Sequence, residues 1–292
     1  MGGNRPIMKV DKLLKTIIVT ILLTWLSLFV IVPSLLLILL SLSKSSNLFA
    51  FPFFLTFQHY LESLNSINLS IFLRSVRLAF LVTLICFLLA YPLAYILARE
   101  NNPIKKMILV FLLILPAWTS SLIRIYSMTT IISANGPVMN LLLRLHLIKR
   151  PIQLLFTNFA VIWGLCYDLF PFMFFPIFSF LDRFDWKLLD AAADLGASKF
   201  TTLRRIVLPL SLPSILAGII LVLLPAMTLF YVPDILGGAK TMLLGNLIRN
   251  HFLLQLQWAQ GAVLAVFLIL FSSLLIGIYL HYSKKDQKEI LL

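Results

Sequence analysis

The sequence predicts an all-α protein that crosses a membrane about six times, and three observations carry that prediction. Of 292 residues, 61% are hydrophobic and only 12% charged, about half the charged share usual in a water-soluble domain, and mean hydropathy is +1.01. The apolar residues fall in long blocks divided by short charged clusters. The blocks lack strand alternation, and within a bilayer only helices or closed barrels satisfy the backbone. This composition excludes both a soluble enzyme and a disordered chain.

Residues 16–43 contain no Asp, Glu, Lys or Arg over 28 positions, and Arg5, Lys9, Lys12 and Lys15 precede them. About 20 helical residues cross the hydrocarbon, so this block spans with room for tilt. A cleavable signal peptide would have a shorter apolar core followed by a small-x-small site; a retained first helix is expected instead. Further spans are expected at 71–98, 104–132, 158–181, 206–232 and 258–282. Arg74, Arg77 and Arg124 fall inside them.

The net charge of +13 speaks of orientation rather than of a nucleic-acid partner. Fifteen Lys/Arg lie on the side holding both termini and the 99–106 and 183–205 connections; six lie opposite, at Lys44, Arg144, Lys149, Arg150, Lys240 and Arg249. Both termini are therefore expected in the cytoplasm. Of the outer connections, 44–70 carries Phe51-Pro52-Phe53-Phe54 and suits the interface. The next, 134–157, opens at Asn135-Gly136-Pro137 before a leucine-rich amphipathic piece at 138–148, and 233–257 holds Gly237-Gly238 and Gly245-Asn246, suited to bends or close backbone approach. Cys86 and Cys166 sit in apolar blocks and read as small hydrophobes, with neither a disulfide nor a metal site. No internal repeat or low-complexity linker divides the chain.

The inner connection between spans four and five is punctuated as a helix. Asp185 suits the N-cap and Gly196 the left-handed closing position, while Leu188, Leu189, Ala192 and Leu195 share a face. A new helix starts near Ser198 and runs on into span five. A short alanine-faced helix between two spans suits another protein's groove; resting on the inner membrane surface is the competing reading. The segment Asp190-Ala191-Ala192, Gly196, then Ile206-Val207-Leu208-Pro209 resembles the cytoplasmic signature of ABC importer permeases, Glu-Ala-Ala, three residues, Gly, nine residues, Ile-x-Leu-Pro. Both gaps are kept, and Asp190 replaces the usual Glu. The resemblance implies the type I permease architecture and a coupling helix seated on an ATPase subunit, with Asp190, Ala191, Ala192, Asp194, Gly196, Leu208 and Pro209 as the coupling residues.

From about residue 71 to 281 the chain is similar to the B-type permease of spermidine/putrescine importers. The tracts that carry this are 117–126, Leu224-Pro225-Ala226-Met227, 230–240 (Phe230-Tyr231-Val232-Pro233-Asp234 onward) and Gly245-Asn246-Leu247-Ile248; residues 1–50 match weakly. The resemblance implies two copies of an ATP-binding ABC ATPase, a second related permease and an extracytoplasmic polyamine-binding protein as partners, in the bacterial cytoplasmic (inner) membrane. Residues 1–15 would then be a cytoplasmic segment, 16–283 the permease domain with its coupling loop at 182–205, and 284–292 a cytoplasmic tail. No Gly-x-x-x-x-Gly-Lys-Ser/Thr loop, His-Glu-x-x-His or Gly-x-Ser-x-Gly occurs and the four histidines are scattered. A transport subunit rather than an enzyme is expected, with no cofactor of its own and with ATP and magnesium on the partners.

A polyamine moving through apolar surroundings needs carboxylates and aromatic faces. Two acidic residues qualify: Asp168 in the middle of span four, beside Trp163 and Tyr167, and Asp234 at the outer end of span five, after Tyr231 and Pro233. A mid-membrane carboxylate costs at least ~2.5 kcal/mol to insert, so it asks for a reason. For Asp168 the reasons are a passing ammonium or an ion pair with Arg74, Arg77 or Arg124; for Asp234, a pathway mouth, or capping or pairing with Lys240. Trp118 and Tyr126 are further pathway aromatics, packing being their alternative role. The reading is a polyamine permease. Its rivals are the same machine with another cationic or amino-acid-like solute, an ion-gradient-driven secondary transporter, whose inverted repeats are not detected, and a purely structural subunit.

Overall fold

The computed structural model describes residues 5–44, 55–238 and 241–289. Among these the chain is helical, with one isolated bridge between Ser43 and Leu55 and no strands. In order run α1 (Arg5–Leu26), α2 (Val32–Leu42), α3 (Gln58–Ser63), α4 (Ser66–Ala98), α5 (Pro103–Ile114), α6 (Ser121–Ile132) and α7 (Pro137–Arg144). They are followed by α8 (Asn158–Asp182), α9 (Lys187–Asp194), α10 (Lys199–Thr202), α11 (Leu208–Leu210), α12 (Leu212–Thr228), α13 (Leu244–Arg249) and α14 (Trp258–Glu289). The Phe51-Pro52-Phe53-Phe54 run and Lys240 lie outside the described residues.

Four described helices are long and apolar enough to cross a membrane, Lys15–Leu42, Ser66–Ala98, Asn158–Asp182 and Trp258–His281; counting each of two bent pairs as one span gives up to six. The expected spans 104–132 and 206–232 are the two that bend. Pro103–Trp118 meets Ser121–Arg144 at 93°, and Lys199–Leu210 meets Leu212–Thr228 at 66°. Prolines explain much of the irregularity. Pro33 and Pro209 each follow a π-helical turn, Ser27–Ile31 and Leu203–Val207, because a proline lacks the N–H and its ring displaces the carbonyl four residues earlier. Pro116 sits in the 3-10 turn Leu115–Trp118 that ends α5.

The chain forms two compact units, Ser66–Arg249 with Leu270–Leu292, and Met1–Asn65 with Asn250–Ile269. In the first, α4, α8 and α12 pack together. Small buried residues on α4 (Ala79, Val82, Cys86, Ala90, Ala94) let its neighbours approach closely, as membrane helices require. A Cβ on Gly218 of α12 would lie 2.8 Å from Met173 Sδ and 3.3 Å from its carbonyl oxygen. Cys86 and Cys166 are free and buried, each thiol 3.8 Å from a backbone carbonyl across the α4–α8 contact. In the second unit the apolar window of the Lys15–Leu42 span is not buried at all, so its side chains must be covered by something other than this chain, as lipid does. There Tyr60 bonds Ser41 Oγ at 2.7 Å and meets Phe267 edge-on.

Candidate functional site

At one end of α12 the expected short helix is α9. The Asp185 carboxylate accepts from Lys187 N–H at 3.1 Å, and Gly196 closes the helix at φ +81°. Ala197 N–H reaches Ala192 O at 3.0 Å and Gly196 N–H reaches Ala193 O at 2.9 Å, the paired bonds of a Schellman end. Ser198 Oγ then accepts from Thr201 N–H at 3.2 Å and starts the next helical stretch. Asp190, Ala191 and Asp194 are exposed and Ala192 is buried. The expected apolar face divides: Ala192 and Leu189 turn inward, whereas Leu188 is exposed and Leu195, 89% exposed, stands with Phe200 in the open. Trp186 seats the loop edge-on to Tyr95 at 5.5 Å, with the Arg99 guanidinium 5.4 Å above its ring. Leu208 and Pro209 are exposed one turn before the 66° bend, so the stretch that begins at Lys199 is a lever set at an angle to α12. Ser211 at that bend is buried, with its hydroxyl 3.3 Å from Tyr91 OH.

Inside the spans, Asp168 on α8 is 5% exposed and fully bonded. Arg124 Nη2 on α6 donates to Oδ1 at 2.6 Å, while Ser121 Oγ and Tyr231 OH each donate to Oδ2 at 2.8 Å and touch one another. Of the three arginines weighed, Arg124 is thus the partner, and Arg74 and Arg77 are exposed on α4. Arg124 also supports the α5–α6 break: its Nη1 donates to Pro116 O at 3.0 Å, a carbonyl that also accepts from the Thr119 N–H and hydroxyl. Its guanidinium lies 5.7 Å over the Tyr167 ring. Cavities of about 310 and 750 Å³ flank this point, both lined by Arg124, Trp163 and Tyr167.

Asp234 lies past the other end of α12. Asn246 Nδ2 donates to its Oδ1 at 2.5 Å and to Phe230 O at 2.9 Å, and Arg249 Nη1 donates to Oδ2. The Arg249 guanidinium lies 5.0 Å over the Phe230 ring. Asn246 is held because α13 begins hard against the end of α12: a Cβ on Gly245 would come within 2.1 Å of Thr228 O. The two carboxylate sites meet through neighbouring residues. Phe230 belongs to the Asp234 site, Tyr231 to the Asp168 site, and their rings stand edge to face at 6.1 Å. Tyr167, Tyr231, Asp168 and Asp234 are therefore brought into one ladder. Trp118 is exposed and packs edge-on against Phe111, and Tyr126 is exposed on α6; neither joins the ladder. Sequence reasoning missed Arg249 and Asn246, although the Gly245-Asn246 pair marked the place.

Residues 90–285 match the family described as binding-protein-dependent transport system inner membrane component. The chain is 39% identical over 276 residues to the spermidine/putrescine transport system permease protein PotB of Haemophilus influenzae, covering 94% of this chain and 96% of that one. It is 41% identical over 266 residues to PotB of Escherichia coli (strain K12), covering 91% and 96%. A bacterial ABC transporter that imports the acidic polysaccharide alginate shares the fold at TM-score 0.75 and 18% identity, covering 95% and 97%.

Proposed function

This chain belongs to the family of binding-protein-dependent transport system inner membrane components, and we propose that it moves spermidine and putrescine inward as one permease of an ATP-driven importer. It is a multi-pass inner-membrane permease subunit and not an enzyme. Substrate arrives on an extracytoplasmic binding protein, and a second permease and two ATPase copies complete the machine. Both termini lie in the cytoplasm, with residues 16–283 as the permease body. Closure of the ATPases pushes the 182–205 loop, chiefly Asp190, Ala191, Ala192, Asp194 and Gly196, and the Leu208-Pro209 lever passes the motion to α12. The observation that supports the substrate class is the outer carboxylate, part-exposed Asp234 beside the Phe230 ring, which offers the carboxylate and aromatic face that an ammonium needs.

The test is uptake of labelled spermidine and putrescine into proteoliposomes holding the assembled complex. Uptake should require both ATP and the binding protein. Accumulation driven by an ion gradient without ATPase would overturn the importer reading, and ATP-driven uptake confined to another solute would overturn the substrate. Gly196→Ala tests the coupling loop separately. Nothing lies within 4 Å of the added Cβ, so only the positive φ is penalised, by roughly 1–2 kcal/mol. The expected result is intact insertion with weakened ATPase attachment and uptake.

A further inference from the structure

The geometry points to Arg249 as a tethered competitor: a resident cation that occupies the Asp234 site until an ammonium of the substrate displaces it. The inference rests on the polyamine reading above and adds the residue that guards its outer carboxylate. The two oxygens of Asp234 are held in opposite ways. Oδ1 is fixed by Asn246, an almost fully buried amide that also bonds Phe230 O and whose own Oδ1 accepts from Leu243 N–H at 3.3 Å. Oδ2 is met by Arg249, whose side chain keeps 27% exposure beside a carboxylate that keeps 37%. One half of the acceptor is built into the fold; the other faces water and can exchange.

The guanidinium also covers the Phe230 ring at 5.0 Å. A carboxylate oxygen together with an aromatic face is the pair of contacts that an organic ammonium seeks. Arg249 therefore fills the very contacts a substrate cation would take, and at a part-exposed pair it does so weakly. An incoming ammonium gains the carboxylate while the released guanidinium regains water, so the exchange is close to balanced. Phe230 in turn touches Tyr231, whose hydroxyl bonds Asp168, so a cation admitted here stands next to the inner site. The arrangement gives a carboxylate that is never left bare yet does not trap a polycation.

Uptake by the assembled complex at limiting loaded binding protein tests this, with insertion and assembly of each variant measured in parallel. Arg249→Gln removes the competitor and should raise the uptake of spermidine about two- to fivefold, the fold-change matching loss of a surface ion pair. Asp234→Asn should cut uptake several-fold. The double variant Asp234→Asn/Arg249→Gln should behave as Asp234→Asn alone, because a competitor has no effect without the site. If Arg249→Gln instead lowers uptake and the double variant restores it, the pair is a structural bridge and the proposal is overturned. Wild-type uptake in Arg249→Gln, or in Asp234→Asn, overturns it equally. Absence of ATP-dependent polyamine uptake by the wild-type complex would remove the underlying reading, and this inference with it.

Discussion

Asp168 and Asp234 each face an arginine guanidinium that also lies over an aromatic ring, yet their surroundings differ. Side-chain exposure is 6% and 11% at Asp168 and Arg124, against 37% and 27% at Asp234 and Arg249. The inner carboxylate has both oxygens bonded from two segments: Arg124 and Ser121 from α6, and Tyr231 from the chain that follows α12. The outer one has one oxygen fixed and one open to exchange. The same pair of chemical groups can thus be a clamp or a doorway, and burial decides which. A buried pair strongly resists losing one partner, because the other is stranded without compensation. An exposed pair gives up its partner at little cost.

The largest effect should come from stranding a charge at the inner pair. Asp168→Asn leaves the Arg124 guanidinium buried, with its Nε already lacking a partner among the described residues. The expected loss is on the order of 3–5 kcal/mol, seen as a lower midpoint of thermal unfolding in detergent and a sharp fall in inserted protein. Removing both charges with Arg124→Leu/Asp168→Leu should recover a good part of that loss. If Asp168→Asn inserts and unfolds like the wild type, the contrast between the two pairs fails. The same variant would then deserve an uptake assay as a pathway residue in its own right.

A change that leaves every charge in place sharpens the contrast from the other side. Gly245→Ala sets a methyl 2.1 Å from Thr228 O, a backbone atom that cannot swing away, so α13 must shift and carry Asn246 and Arg249 with it. Overpacking of this kind costs ~1–3 kcal/mol, and a backbone obstacle puts it at the upper end. Uptake should fall by more than Arg249→Gln alters it, since the fixed oxygen of Asp234 loses its amide donor. The inner pair shares none of these contacts, and a crosslink between cysteines introduced on α6 and α8 should form as in the wild type.

The spans were legible because an apolar run beyond 20 residues has few other fates, and four of the helices expected from such runs are present as continuous spans. The 93° and 66° bends were not, because hydropathy is blind to direction: 104–132 and 206–232 are apolar on both sides of their breaks. Pro116 and Pro209 were the available signals, and membrane helices carry prolines too often for one alone to mark a bend. Gly196 marks the end of α9 because capping is local, whereas the N-cap falls on Trp186, one residue after Asp185, whose carboxylate bonds Lys187 N–H from just outside the helix. The inward face was harder to read. Leu195 follows the helix end and its side chain turns away from the Leu189–Ala192 side. Arg249 reaches Asp234 from fifteen residues away because α13 brings it back, a pairing that sequence distance does not show; Lys240, the alternative partner, lies outside the described residues.

Acid is an obvious way to compare the two carboxylates, and one imidazole interferes with it. His251 lies outside the spans, buried, with Nδ1 3.1 Å from Gln257 Oε1, and burial holds its pKa below the usual imidazole value of 6.5. Its folded pKa is depressed, so it costs nothing above about pH 6.5; stability falls as the pH drops from there toward the folded value, since only the unfolded chain takes up the proton. Thermal midpoints should decline over that window in the wild type and decline less in His251→Gln. A titration meant to weigh Asp168 against Asp234 therefore belongs in the His251→Gln background.

The smallest effect is the one that separates the pairs most directly. Raising ionic strength from 0.1 M shrinks the Debye length from about 10 Å toward 3 Å, which screens exposed charges and leaves buried ones nearly untouched. The uptake ratio of Arg249→Gln to wild type should therefore slide toward one as salt rises, because salt loosens the same contact the substitution removes. The thermal deficit of Asp168→Asn should stay constant over the same range, its stranded guanidinium being out of reach of the ions. Parallel salt dependence in the two variants would mean that both pairs sense bulk solvent alike, and burial would then not be what divides clamp from doorway.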